Sequence, residues 1–472
     1  MNIANCHFVN NNRNRRSAGL PTTMTYRGRN MHKRTVMGAG LAAAALMLTG
    51  CMGGATPPDE EAASQPGTLT VWWAKGNTDA EDEAVKAIVD AWAEETGNKV
   101  ELVLMLNEDF PTKLSAAVQA GRGPDIAYSP AADAQLFPTL AADGVLADVS
   151  QIVDAIREDL LPVGIDSSPK GENGEIYSVP IQLQPFDVFY RTDLLEKAGM
   201  DTEPPSDWEG YWDFWMSAQD ELRAQGDAVH GIGLPVSTVA QDGDNFIMWL
   251  FAAFGASPEL ENTPENAEAI GKAYAFLKDL YDRDYMPSAA INWAGPDNNT
   301  ELERGGLVMT PNPTLSVATG ALVSNPEYFD KLAVAPWPTG PDGDVVPLPL
   351  KTTSAVILEQ SKNPELAEEL LTYFIQPENL QTYMETHNGM FVPVNRAQWE
   401  DPFWSESSFH QIVKDEVTTG KIVPWPYAYN RKFADVFNEA LFTRPAGEVL
   451  LGAVETDAAA QAFLDQVEAL VK

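Results

Sequence analysis

Cysteine is almost absent from this 472-residue chain, which has Cys6 and Cys51 and no other. Histidine is scarce as well, occurring at positions 7, 32, 230, 387 and 410, with no pair at metal-ligand spacing. There is no H-E-x-x-H, no G-x-S-x-G, no phosphate-binding P-loop and no G-x-G-x-x-G. Those gaps exclude the familiar zinc, serine-nucleophile and nucleotide chemistries, and no metal or cofactor is expected. A glycosidase needs only two carboxylates, and 68 Asp and Glu leave that enzyme class open. Basic residues are few: 31 Lys and Arg give a formal charge of −37. Such a surface repels nucleic acid and anionic solutes. The acids are scattered rather than blocked, so disorder is not implied. Adaptation to salty surroundings accounts for them, and they say little about a ligand. Beyond residue 50 there is no apolar run long enough to span a bilayer, and no internal repeat.

The first 50 residues differ from the rest, with seven Lys and Arg and no acid. Removing those seven from 31 leaves 24 Lys and Arg against 68 Asp and Glu, a balance of −44. His32-Lys33-Arg34 precedes an apolar run from Val36 to Leu48, too short for a permanent span and suited to a signal-peptide core. Residues 1–30 match no part of such a signal, so Met24 and Met31 stand as alternative starts. The run ends in Leu48-Thr49-Gly50-Cys51, which resembles the bacterial lipobox. That resemblance implies diacylglycerol on the Cys51 thiol and cleavage in front of it, after which Cys51 is the only cysteine left. Residues 51–66, rich in Gly, Ala, Pro, Ser and acids, bury no core and read as a flexible tether. What remains is too long for one compact core and implies two lobes.

The body opens with Leu69 to Trp73, a β-rich run. Thr78-Asp79-Ala80-Glu81 forms a capping box, and Val85, Ile88, Val89 and Trp92 follow at helical spacing until Gly97. Val100 to Leu104 reads as a second strand; Phe110, Leu114, Ala117 and Val118 as a helix face ended by Gly121; Pro124 to Tyr128 as a third strand. That alternation begins a doubly wound α/β sheet, in which ligands sit beyond the carboxyl ends of the strands. Three loops therefore share one edge: Trp73 to Thr78, Met105 to Pro111, and Tyr128 to Asp133. Later helices start at Thr263-Pro264 and at Asn363-Pro364, the latter stopped at Pro377, and a helical pattern closes the chain around Ala460 to Val471.

Several segments, taken in order, resemble the extracellular solute-binding proteins of ABC importers, the family that includes maltose-binding protein. They are Leu69–Trp73; Lys113-Leu114 through Gly121-Arg122-Gly123-Pro124-Asp125-Ile126; Tyr177-Ser178-Val179-Pro180; Phe189 to Leu195 with Gly199; Pro205-Ser206-Asp207-Trp208; and Gly305 to Met309. Arg191 and Gly306 depart from the family's usual Asn and Lys. The resemblance implies a two-lobed α/β fold of the periplasmic-binding-protein kind, type II-like, with discontinuous lobes joined by hinge crossings. Lobe one is expected at 67–182 plus 355–400 and lobe two at 183–354 plus 401–472, with crossings near Ile181–Phe186, Lys351–Ala355 and Ser407. It further implies a monomer that captures a sugar and passes it to ABC permease subunits, with no enzymatic activity. Polyamine and sugar-phosphate ligands stay open on the same fold. Acids lining the cleft favour the first; the second needs a cleft cation, for which Lys351 is the candidate.

Sugars present hydroxyls to planar polar side chains and C–H faces to aromatic rings. On the first lobe the candidates are Trp73, Asn77 and Asp79 after the first strand, Asn107 and Asp109 after the second, and Tyr128 and Ser129 after the third. Trp72 and Trp73 point to opposite faces, so one of them is core; the Asn and Asp residues serve equally well as helix caps. Gln184 aligns with a ligand-binding carboxylate of the family near the hinge, and Gln182 shares that role or bonds the hinge backbone. Asp244, Asn245, Phe246 and Trp249 lie in a Gly/Asp-rich loop, Trp293 in a polar loop from Asn292 to Asn299, and Asn312 and Thr314 after the Gly305–Met309 strand signal. The family carries an aromatic platform near that last point; this chain has none, so stacking comes from elsewhere. Lys351, Thr352 and Thr353 belong to the second crossing, and Trp425, Tyr427 and Tyr429 to a Pro-interrupted aromatic run matching a late contact of the family.

Overall fold

The sequence periodicities become eleven strands, described by a computed structural model that covers residues 67–76, 78–171, 173–238, 242–426 and 432–472. The expected signal segment, Cys51, the tether, Asn77, Tyr427 and Tyr429 lie outside the described residues. Strands β1 (Thr68–Ala74), β2 (Lys99–Met105) and β3 (Ile126–Tyr128) alternate with helices Asp79–Thr96 and Phe110–Gln119. The first of these helices starts where the Thr78 side chain accepts from the Glu81 N–H at 3.2 Å, and it stops at Gly97, whose φ of 75° suits a residue without Cβ.

Two further strands, β4 (Val179–Gln184) and β5 (Asp187–Arg191), follow each other across Pro185 and Phe186 but join different sheets. The remaining strands are β6 (His230–Ile232), β7 (Leu307–Asn312), β8 (Leu332–Ala335), β9 (Leu348–Ile357), β10 (Val392–Pro393) and β11 (Ile422–Pro424). The first sheet runs β10-β4-β9-β3-β1-β2, with β11 paired to the start of β9. The second runs β6-β7-β5-β8. Chain order therefore leaves the first sheet after β4, builds the second, and returns at β9.

Register decides what meets at the sheet ends. β1 is parallel to β2 and β3, with Trp73 opposite both Leu104 and Tyr128, so three strands finish at one edge. β9 is antiparallel to β3 and to β4, which carries Gln184 to that same edge opposite Lys351. In the second sheet β7 ends at Asn312, paired with Asp187 at the start of β5. One face of the first sheet buries Leu69, Val71 and Trp73; the other packs Phe110, Leu114, Phe137, Val356 and Leu358 into a smaller cluster.

Helix Pro264–Asp282 begins as expected, with Thr263 accepting from the Asn266 N–H, and the last helix spans Thr456–Val471. The helix from Pro364 ends at Phe374, earlier than expected, and Pro377 opens the next helix, Pro377–Thr386; proline in a first turn gives up no intrahelical bond. The stretch read as a loop around Asp244 is helix Asp242–Ala253, because its Phe, Ile, Trp and Leu residues are buried on nearly every side. Among the described residues no helix is long and apolar enough to cross a membrane.

Candidate functional site

A cleft of about 830 Å³ opens where the carboxyl ends of the strands of both sheets converge. That volume lies in the range of small-molecule sites. From the first sheet it takes Ala74, Lys75 and Gly76 after β1, Asn107 and Glu108 after β2, and Tyr128, Pro130 and Ala131 after β3. All three loops expected at this edge are present. β4 and β9 contribute Gln184 and Lys351. From the second half come Thr238, Asp242, Asp244, Asn245, Asn299, Asn312, Thr314 and Ser316, and from the C-terminal part Trp425, Phe437, Asn438 and Thr443.

Much of the first wall is bonded to itself. The Asn107 side-chain oxygen accepts from the Ser129 hydroxyl at 2.8 Å and the Ala131 N–H at 3.1 Å, tying the second loop to the third. Ser129, fully buried, also caps the short helix Pro130–Gln135 by accepting from the Ala132 N–H. Gln182 is buried and donates to the Tyr128 hydroxyl at 2.8 Å. Burial pushes that phenol's pKa well up, with neighbouring Tyr383 adding to the effect. Gln184 donates to the Thr353 hydroxyl at 3.4 Å. The Lys351 ammonium donates to the Pro130 carbonyl oxygen. Burial lowers its pKa to about 8, against the opposing pull of the Asp133 carboxylate. Lys75 stands 3.7 Å from Asp82. Gly76 lets the backbone cross Glu81, since a Cβ there would come within 2.4 Å of the Glu81 Cβ.

The opposite wall keeps bonding capacity in reserve. Asp242 accepts from the side-chain amides of Asn298 at 3.3 Å and Asn312 at 3.4 Å, and Asn312 also donates to Asn299 at 2.9 Å. Its side-chain oxygen in turn accepts from the Thr314 N–H and hydroxyl. Burial raises Asp242 to about 7, opposed by the Asn298 amide; burial and then the Asp242 charge raise Asp244 to about 8. Asp244 Oδ1, Asn245 Nδ2 and Trp425 Nε1 are buried atoms with no hydrogen-bond partner. Tyr128, Tyr383, Phe391, Trp425 and Phe437 supply aromatic surface, and the Trp425 and Phe437 rings stack with centroids 5.2 Å apart. Among the described residues no group of three or more His, Cys, Asp and Glu is arranged to hold a metal ion.

Of the residues singled out by sequence, Asn107, Tyr128, Gln184, Asp244, Asn245, Asn312, Thr314, Lys351 and Trp425 line this cleft. Others do not. Trp73 lies beneath it, 2 % exposed, stacked on Tyr128 at 4.1 Å and packed on Phe374. It is the core member of its pair, while Trp72 packs edge-on against Phe110. Phe246 and Trp249 are completely buried on their helix. Trp293, expected to be exposed, is 5 % exposed, and its carbonyl oxygen accepts from the Ser237 hydroxyl. Its segment is not one loop but a 3-10 turn, Ser288–Asn292, followed by helix Asp297–Glu303. Asp79 is an exposed first-turn residue, and Asp109 is exposed and ion-paired with Lys113 at 2.8 Å. Thr352 is buried and donates to the Val163 carbonyl oxygen; Thr353 is buried under Gln184. Ser129 and Gln182 sit behind the lining residues and bond them.

Cleft residues the sequence did not single out include Glu81, Asp242, Asn299, Tyr383 and Phe437. Glu81 belongs to the capping pattern at Thr78, whose hydroxyl accepts from the Glu81 N–H. Asp242 belongs to the same Asp-Gly-Asp run as Asp244 and had an equal claim. Tyr383 and Phe437 sit on helices and carry no local signal.

Comparison with known proteins follows the same geometry. The profile of the family described as bacterial extracellular solute-binding protein matches residues 87–408. A putative binding protein of Brucella abortus is 26% identical over 309 residues, covering 62% of this chain and 69% of the relative. The arabinooligosaccharide-binding protein of Halalkalibacterium halodurans is 24% identical over 403 residues, covering 78% and 84%. A solved structure of an ABC transporter solute-binding protein from Thermotoga lettingae, bound with alpha-D-tagatose, superposes with a TM-score of 0.70 at 21% identity over 86% of this chain and 100% of that one. At that identity the likeness speaks to the fold, which is the two-lobed α/β architecture of periplasmic binding proteins. With the family's profile matched across most of the two sheets, and a cleft where their strand ends meet, the chain belongs to the bacterial extracellular solute-binding proteins.

Proposed function

We propose that this chain is the substrate-binding lipoprotein of an ABC importer, and that it captures a sugar or oligosaccharide between its lobes. The observation that carries the reading is the lining of the cleft. Amides, carboxyls and hydroxyls from both sheets face aromatic rings within one cavity of about 830 Å³. Hydroxyl-rich rings need both kinds of surface. The sugar named for the Halalkalibacterium relative and the tagatose in the Thermotoga structure support the same class. A sugar phosphate is disfavoured because both cleft lysines are engaged, Lys75 with Asp82 and Lys351 with Pro130 and Asp133.

Lobe one is taken as 67–182 plus 355–400 and lobe two as 183–354 plus 401–472. Separate sheets for β1–β3 and β5–β8 support that division. β4 and β9 run on into the hinge, where Gln184 and Lys351 pair. Ligand bound to both lobes stabilises the closed form, which the permease then recognises; the ligand undergoes no covalent change. Lipid on Cys51 holds the monomer at the outer face of the membrane. The binding reading is tested by the thermal midpoint of the full chain against a panel of saccharides, polyamines and sugar phosphates. A saccharide at ~100 times its dissociation constant adds about 2.7 kcal/mol. A shift confined to polyamines, or slow hydrolysis of a glycoside without any shift, overturns it. Anchoring is tested by labelling cells with a fatty-acid analogue, which Cys51→Ser must abolish.

A further inference from the structure

We propose that the solute is an amino sugar, a ring-bearing ligand whose protonated amine is seated at the paired carboxyls of Asp242 and Asp244. This rests on the reading that the cleft is a saccharide site, and it specifies the charge that site prefers. Asp242 and Asp244 occupy the first turn of helix Asp242–Ala253 and both line the cleft. Neither forms an ion pair with a described lysine or arginine: what reaches Asp242 are the amides of Asn298 and Asn312, and Asp244 Oδ1 is buried without a partner.

Half-buried carboxyls that line a cavity with no described cation of their own, one oxygen of Asp244 being wholly buried, are costly when ionised. The other charged groups of the cleft do not relieve them. Glu81 and Glu108 have the same sign, and Lys75 and Lys351 are committed to Asp82, Pro130 and Asp133. Among the described residues an ionised pair here is therefore left without a positive partner, and the group that completes it is a cation brought by the ligand. The raised pKa values of the two carboxyls, about 7 and about 8, express the same missing charge. Aromatic walls at Tyr128, Tyr383 and Trp425 favour a ring over a linear amine, through C–H and cation contacts with their faces.

The test is calorimetry on the full-length chain with matched series of mono- and disaccharides, each carrying at one ring position a free amine, an N-acetyl group or a hydroxyl. Within one series the amine binds more tightly than the hydroxyl by about tenfold, the margin between charged and neutral hydrogen bonds. At pH 6, where the sugar amine is fully protonated and the empty carboxyls hold protons, binding of the amine releases protons into the buffer. Two buffers of different ionisation enthalpy read that release, and the neutral analogue shows none. Asp244→Asn and Asp242→Asn reduce both the preference and the proton release while retaining the thermal midpoint, which a purely structural role for the pair leaves untouched. Equal or tighter binding of the hydroxyl analogues overturns this inference and leaves the saccharide function standing. Binding of linear diamines alone overturns the ring-bearing ligand, and no binding of any saccharide overturns the function as well.

Discussion

The two walls of the cleft use similar residue types in opposite ways. On the first wall the polar side chains largely bond one another: Asn107 to Ser129 and Ala131, Gln182 to Tyr128, Lys351 to Pro130. On the second, Asp244 Oδ1 and Asn245 Nδ2 are left without partners, and Asp242 sees only amides of its own half. A wall whose bonds are mostly made, with the Gln182 side-chain oxygen an exception, offers a fixed shape. A wall with unmade bonds gains most when a ligand arrives, because unsatisfied buried groups are the expensive ones. The second wall is therefore expected to set specificity and the first to supply rigidity.

The largest effect is expected where the first wall rests on the core. Trp73→Ala removes the ring beneath Tyr128 and costs about 3–5 kcal/mol of stability by chemical denaturation. A loss below about 1 kcal/mol would mean that the first wall does not depend on that stack. Next comes a contrast in affinity. Asn245→Ala weakens saccharide binding on the order of tenfold, whereas Lys75→Ala, which loses only a long, partly exposed ion pair, changes it by less than about threefold. Equal effects from the two substitutions would erase the distinction between the walls.

A pH series sharpens the comparison further. Asp242 and Asp244 titrate higher folded than unfolded, so their contribution is full below the ordinary carboxylate range and is lost as pH rises toward 8. Lys351 titrates lower folded than unfolded, near 8, so its penalty is full below 8 and fades toward 10.5. The thermal midpoint of the empty protein therefore falls between pH 5 and 8, by several degrees more than in the Asp242→Asn, Asp244→Asn double variant. Above pH 8, Lys351→Met removes a rise that the double variant retains. The smallest effect belongs to the helix behind the first wall: Thr78→Ala costs about 1 kcal/mol through the lost bond to the Glu81 N–H.

The first wall was far more legible in the sequence than the second. Strands at β1, β2 and β3, with caps at Thr78 and Gly97, define three loops that share an edge, and all three line the cleft. Alternation and capping are local, so these elements can be read without knowing the rest of the chain. The helix Asp242–Ala253 looked like a loop because its Gly/Asp-rich start carries turn signals and its apolar residues encircle it, leaving no amphipathic stripe. Trp293 looked exposed among polar neighbours, yet it is buried in the second half.

Local spacing alone determined the α/β alternation of the first sheet and the edge at which its loops gather. Only the tertiary structure decided which candidates line the cleft and which are core: Tyr128 rather than Trp73, Asp244 rather than Phe246, Trp425 rather than Trp249. The physical reason is that a strand or helix fixes the angle between neighbouring side chains, while the packing of the two halves fixes which direction is core and which is cleft.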